Sequence, residues 1–123
     1  MTKIDFGGVV EDVVTRKEFS LERARQVLQD EVVAVLGYGV QGPAQALNMK
    51  ENGVHVIVGG APERSRSWNK AREDGWVPGE TLFPWQEAVE RASIVQYLVS
   101  DAGQMALWPT IQPHFRTGFS LLP

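Results

Sequence analysis

Val32-Val33-Ala34-Val35-Leu36-Gly37-Tyr38-Gly39-Val40-Gln41-Gly42-Pro43 is the stretch whose reading decides the fold. Its first five residues form a continuous apolar run. Periodicity alone leaves a buried helix segment open for such a run, but its shortness and its valines favour a strand buried on both faces of a parallel sheet. Gly37 to Gly42 then matches G-x-G-x-x-G, and Pro43 suits the first position of a helix, where its missing N–H would go unbonded in any case. In this pattern Gly37 permits a tight strand-to-helix turn and Gly39 lets backbone approach a pyrophosphate. Gly42 allows close packing of helix on strand. The helix N-terminus would present free N–H groups and the positive end of its dipole to phosphates. Alone, the pattern is weak, because glycine-rich turns also arise for purely structural reasons. Set between a strand and a helix, with a second strand following, it points to dinucleotide binding.

Outward from this turn, a helix is expected from Pro43 to about Asn52, closed by Gly53, and Val54–Val58 reads as a second valine-rich strand. A polar loop, Gly59–Ser67, leads to a short helix from about Trp68 to Asp74, closed by Gly75. Trp76–Phe83 is loop-like with room for a very short strand. Pro84 opens a helix through about Arg91, and Ile94–Val99 is the third clear strand. A helix follows Asp101, limited in length by Pro109 and Pro113. Phe119–Leu122 opens one more strand. Upstream, Ser20 caps a helix to about Gln29, with Leu21, Ala24, Val27 and Leu28 on one face. Met1–Phe19 reads as irregular, with Gly7-Gly8 at a turn.

Strands alternating with helices imply an α/β fold, a Rossmann-type doubly wound parallel sheet. Such a domain has two halves, and these 123 residues hold the first and part of the second, so the sheet is expected to be incomplete on its C-terminal side. The length suits one domain, residues 1–123, and is too short for two.

The composition narrows the class further. A hydrophobic fraction of 43% against 22% charged describes an ordinary globular chain rather than a disordered one. The net charge of −3 comes from a mixed surface, which gives no general attraction to nucleic acid or to membranes. No stretch approaches the roughly 18 uninterrupted apolar residues of a membrane helix, and Met1–Phe19 lacks the apolar run of a signal peptide. Cysteine is absent, which removes disulfides, thiolate metal sites and cysteine nucleophiles together. A cytoplasmic chain is the expectation.

The choice of dinucleotide falls at the end of the second strand. An NAD site usually places Asp or Glu there to accept from the ribose hydroxyls, but here stand Gly59 and Gly60. Arg64, Ser65, Arg66 and Ser67 follow, donors suited to a 2′-phosphate. Glu63 in the same loop argues the other way. The balance favours NADP(H) over NAD(H), with a solvated loop for the arginines and a helix cap for Ser65 or Ser67 as the bland reading.

His55 and His114 have no partnered spacing and read as structural rather than metal-binding. Trp68, Trp76, Trp85 and Trp108 read as packing anchors. Glu87, Glu90 and Arg91 form a solvated helix face. A Tyr-x-x-x-Lys pair is missing after Tyr38 and after Tyr97, which sets aside short-chain dehydrogenase chemistry.

At this point the sequence resembles ketol-acid reductoisomerase. The resemblance is carried by Phe6-Gly7-Gly8, Ala34–Asn48, Val54–Gly59 and Ser67-Trp68, and continues through Glu73–Phe83, Gln96–Gln104 and Trp108-Pro109. It covers nearly the whole chain, and the glutamine- and alanine-rich continuation after the glycine turn is far more specific than the turn itself. It implies an oxidoreductase of branched-chain amino-acid (isoleucine and valine) biosynthesis that isomerises acetohydroxy acids with magnesium and reduces the product with NADPH. It implies that Gly37, Tyr38, Gly39, Val40 and Gln41, with Gly42 closing the turn, hold the pyrophosphate. Arg64, Ser65, Arg66 and Ser67 would meet the 2′-phosphate, and Ser100 and Asp101 would lie near the ribose and nicotinamide. The sequence departs from the family at Gly60-Ala61-Pro62, where a basic residue is usual, and this bears on NADP preference.

The family's histidine segment after the last strand, and the helical domain that supplies the magnesium carboxylates, lie beyond Leu121-Leu122-Pro123. The isolated chain is therefore expected to bind cofactor without catalysing turnover, and to contribute no catalytic residue and no metal ligand. The alternative is a stand-alone nucleotide-binding or self-associating module, a homo-oligomer formed through an exposed sheet edge at Phe119–Leu122.

Overall fold

A computed structural model describes residues 1–62 and 65–122. The chain opens with a hairpin, β1 (Thr2–Asp5) paired antiparallel to β2 (Val10–Val13), where the sequence predicts irregular backbone. Both strands are exposed and only four residues long, so neither carries a burial period to be read. The turn does the pairing. Gly7 adopts φ +77° and Gly8 φ +101°. That region is costly for other residues. The Gly8 N–H donates to the Asp5 carboxylate at 2.5 Å. The Glu18 carboxylate accepts from the Thr15 N–H at 2.9 Å and from the Thr2 hydroxyl at 3.1 Å, tying the hairpin to the following turn.

Helix α1 (Leu21–Leu28) starts where Ser20 accepts from the Arg23 N–H at 3.1 Å. Its expected apolar face is not a core face: the helix buries none of its residues, and Leu21 and Val27 are exposed.

The remaining elements alternate: β3 (Val33–Leu36), α2 (Gly42–Glu51), β4 (Val56–Gly60), α3 (Arg66–Glu73), β5 (Leu82–Pro84), α4 (Trp85–Arg91), β6 (Ile94–Tyr97), α5 (Asp101–Ile111) and β7 (Ser120–Leu122). The five strands from β3 onward form one parallel sheet in the order β5-β4-β3-β6-β7, with Val33 level with Val56 on one side and Ile94 on the other. The chain leaves β3 toward one edge, then returns to the other side of β3 at β6. This reversal is the doubly wound topology, and it opens a crevice beyond the C-terminal ends of β3 and β6. Alternate residues of β3 face opposite cores. Ala34 and Leu36 join Ile57, Phe83, Ala88, Val89, Val95 and Ile111 on one face; Val35 joins Ala46, Val58, Trp68, Trp76 and Leu82 on the other.

Several boundaries differ from the sequence reading, and three of the differences have a physical cause in the packing or the caps. Gly59 and Gly60 belong to β4, not to a loop. A Cβ on Gly59 would come within 2.5 Å of Leu36 Cδ2 and 2.8 Å of Ala88 Cβ. Glycine here admits α4 onto the sheet. Helix α3 begins at Arg66 rather than Trp68 because Ser65 caps it, accepting from the Trp68 N–H at 3.0 Å. Helix α5 passes through Pro109 and ends at Ile111. The bond Pro109 cannot donate would have gone to the Met105 carbonyl. Met105 is 80% exposed, so that carbonyl is within reach of water. Pro113 instead lies in the 3-10 turn Gln112–His114 that follows.

Candidate nucleotide-binding site

The crevice at the strand reversal is a cleft of ≈ 500 Å³. One wall is Gly37 to Gln41, following β3; the floor is Leu98, Val99 and Ser100, following β6; the far wall is Ala61, Ser65 and Ser67 around the start of α3, with Trp85 of α4 beside them.

The glycines carry three different constraints. Gly37 has φ +102°, and a Cβ there would meet the Leu98 carbonyl oxygen and Val99 Cγ1 at 2.8 Å each. A Cβ on Gly42 would overlap the Gly37 carbonyl, so its role is to close the turn on itself as the helix begins. Gly39 is different. It is exposed and a Cβ would meet no protein atom within 4 Å, so nothing inside the chain demands glycine there. The open space leaves room for the backbone to be approached closely from outside.

Helix α2 supplies the donors. Its N-cap, Gln41, makes no side-chain capping bond, whereas α1, α3 and α5 are each capped by a serine, Ser20, Ser65 and Ser100. The first N–H groups of α2 are therefore left for a ligand, at the positive end of its dipole. These features fit a dinucleotide pyrophosphate.

Tyr38 lines the cleft, yet it is only 3% exposed and belongs to the core cluster around Val35 and Trp76. Its hydroxyl donates to Asp74 Oδ2 at 2.6 Å and accepts from Trp76 Nε1 at 3.0 Å. Burial, then the bond to Asp74, pushes the Tyr38 phenol up to about 12. The same bond, with a second from Lys70, holds the Asp74 carboxyl below its ordinary range, and Asp74 in turn raises Lys70.

Of the residues expected from the sequence, Gly37, Tyr38, Gly39, Val40, Gln41, Ser65, Ser67 and Ser100 line the cleft together. Gly42 is buried just behind the turn, and Arg66 and Asp101 are exposed on the first turns of α3 and α5, outside the lining. Arg64, like Glu63, lies outside the described residues. Ser65 is committed twice, accepting from Trp68 and donating its one O–H to the Ala61 carbonyl at 2.9 Å. Ser100 accepts from the Gly103 N–H at 3.2 Å as the cap of α5. Trp85, expected only to pack, is half-buried and lines the cleft; the apolar pair Leu98 and Val99 was also missed, since the two read as the continuation of a strand that in fact ends at Tyr97.

His114 has a carboxylate partner, Glu90; the two meet across the gap between α4 and the 3-10 turn. No group of three or more His, Asp or Glu able to hold a metal occurs among the described residues. No helix among them is long and apolar enough to cross a membrane.

A five-stranded parallel sheet in this order, with a glycine turn at its reversal point, defines a nucleotide-binding fold of the Rossmann class. Residues 27–122 match the family model described as acetohydroxy acid isomeroreductase, NADPH-binding domain, and the chain belongs to that family, the ketol-acid reductoisomerases. It is 54% identical over 121 residues to the ketol-acid reductoisomerase (NAD(+)) of Desulfosudis oleivorans, covering 98% of this chain and 34% of that one. It is 41% identical over 130 residues to the probable mitochondrial ketol-acid reductoisomerase of Schizosaccharomyces pombe, covering 99% of this chain and 32% of the relative. The solved structure of an NADH-preferring ketol-acid reductoisomerase from an uncultured archean superposes with a TM-score of 0.68 at 35% identity, over 77% of this chain and 29% of that one. The chain thus spans about a third of the length of the curated relatives it matches.

Proposed function

We propose that residues 1–123 form one domain that cradles the dinucleotide of a ketol-acid reductoisomerase, binding and orienting the cofactor for reduction of an isomerised acetohydroxy acid. The observation that carries this reading is the uncapped α2 N-terminus beside an open Gly39 on one wall of the strand-reversal cleft. Gly37 to Gly42 would hold the pyrophosphate. Ser100, Leu98 and Val99 would meet the ribose and nicotinamide side, with Asp101 adjacent. The hydride chemistry belongs to the cofactor, and these residues position it.

The cofactor we favour is NADP(H). β4 ends in Gly59-Gly60, where a carboxylate would otherwise accept from the ribose, and Ser67 lines the cleft beside Arg66 and Arg64 in sequence. NAD(H) is the second reading, favoured by the Ser65 hydroxyl already donating to Ala61 and by the Desulfosudis relative, which is named for NAD(+). Calorimetric titration with NADPH and NADH separates them. Tighter binding of NADPH supports the first reading, tighter NADH the second, and binding of neither removes the proposal.

We further propose that the isolated chain does not turn over acetohydroxy acids, for want of a metal-ligand set in the described residues, and that it works in the cytoplasm. Measurable turnover by the purified chain would defeat the first statement. Self-association is the alternative role. Among the described residues, strand β7 pairs only with β6, and Leu122 is 48% exposed. Such an edge is free to pair with a second copy. A sedimentation profile that stays monomeric at high concentration removes it.

A further inference from the structure

Between Gly37 and Gln41, Tyr38 is the one residue whose side chain enters the core; Val40 is 90% exposed and Gln41 is exposed as well. Apart from it, the turn is tied down mainly by the Gly37 N–H to the Gly59 carbonyl at 3.2 Å and by the Gln45 N–H to the Gln41 carbonyl at 3.1 Å. The Tyr38 hydroxyl reaches Asp74, the residue that caps the C-terminal end of α3. The other oxygen of that carboxylate is held by Lys70 at 3.0 Å, and Trp76 Nε1 closes the set on the Tyr38 oxygen. The N-terminal end of the same helix carries Ser65 and Ser67, which line the opposite wall of the cleft. One eight-residue helix is therefore bonded to the phosphate turn at one end and forms the facing wall with its other.

We propose, resting on the dinucleotide reading above, that Tyr38, Asp74 and Trp76 form a brace that fixes the phosphate turn relative to the start of α3. Tyr38 is thereby a positioning residue for the bound nucleotide. Its ring fills core volume, as any aromatic would; its hydroxyl sets where the Gly39 and Gln41 backbone stands when the nucleotide arrives. A hydrogen bond to a charged acceptor in a partly buried site is among the stronger ones available to a neutral donor.

The test separates filling from bracing with Tyr38→Phe, which keeps the ring, and Asp74→Asn, which keeps an acceptor. Ile111→Val, in the core on the other face of the sheet, serves as a stability control. Amide hydrogen exchange of the ligand-free chains is read at Gly37 and Gln45, whose N–H groups hold the two ends of the turn, and NADPH and NADH are titrated into each.

The brace predicts exchange about tenfold faster across the turn in Tyr38→Phe, the change that losing roughly one charge-assisted bond produces. Affinity for both dinucleotides should fall by a similar factor, Asp74→Asn should lie between, and Ile111→Val should shift the melting temperature but neither readout. Unchanged exchange in Tyr38→Phe overturns the brace. Faster exchange with unchanged affinity overturns the positioning role. A wild-type chain that binds no dinucleotide overturns the dinucleotide reading and the positioning role with it, while the exchange data still decide whether the brace holds the turn.

Discussion

Gly37 lies so close beneath Leu98 that a Cβ on it would stand 2.8 Å from the Leu98 carbonyl oxygen, and it does so at φ +102°. Two penalties would therefore fall on one methyl group, backbone strain and overlap with backbone that cannot swing aside. Gly37→Ala is expected to lower stability by about 2–4 kcal/mol, adding strain of order 1–3 kcal/mol to overpacking of similar size. Gly39→Ala meets nothing in the chain and should change the urea midpoint little, while weakening dinucleotide binding at least as much as Gly37→Ala does in its folded fraction. Equal losses of stability in the two variants would contradict this division of labour.

Ser65 distinguishes a cap from a phosphate ligand. Its hydroxyl already bonds Trp68 and Ala61. Ser65→Ala should cost about 1 kcal/mol of stability through the lost cap. It should leave the ratio of NADPH to NADH affinity within about twofold of the unaltered chain, a shift of under about 0.4 kcal/mol. A collapse of NADPH affinity alone would show that the hydroxyl turns to the ligand.

Alkaline pH should weaken the fold through Tyr38. Its phenol ionises at about 12 when folded, against an ordinary 10.0. The folded state thus holds its proton longer, so the contribution is fully present below about pH 10 and is lost as pH rises from there toward about 12. Lys70, whose pKa is also raised in the fold, acts in the same direction. Urea unfolding across roughly pH 9–12 should show a smaller alkaline loss in Tyr38→Phe than in wild type.

Asp74 gives the acid counterpart. Its carboxyl is lowered first by the Tyr38 hydrogen bond and then by Lys70, so its contribution is present above the ordinary aspartate range and disappears as pH falls through the lowered value. The stability difference between wild type and Asp74→Asn should be constant near neutrality and shrink below about pH 4, where free aspartates protonate. A difference that persists at about pH 2 would mean the carboxylate's charge is not what matters.

Trp85 should report ligand. It is half-buried on the cleft wall, whereas Trp68 and Trp76 are enclosed by the core and Trp108 lies over Tyr97 and Phe115. Trp85→Phe is expected to remove most of the quench in tryptophan fluorescence that dinucleotide binding produces, and an undiminished quench would place the ligand elsewhere.

The local code of this chain carried far. The valine runs, the glycine turn, Pro43 at a helix start, the serine caps at Ser20 and Ser65, and the closing Gly53 and Gly75 all act over a few neighbouring residues, so they are visible in a sequence. The α/β alternation and the phosphate turn followed from them. What tertiary structure alone decided is where distant segments meet. It turned Gly59 from a loop residue into the point where α4 settles on Leu36, and carried α5 through Pro109 on a turn where Met105, four residues earlier, is exposed. It brought the Tyr38 hydroxyl to Asp74, 36 residues away, so that a residue read as ligand-facing is also a buried member of the core. Those outcomes depend on which faces pack and which bonds are left over once they do, and neither quantity is written at any single position.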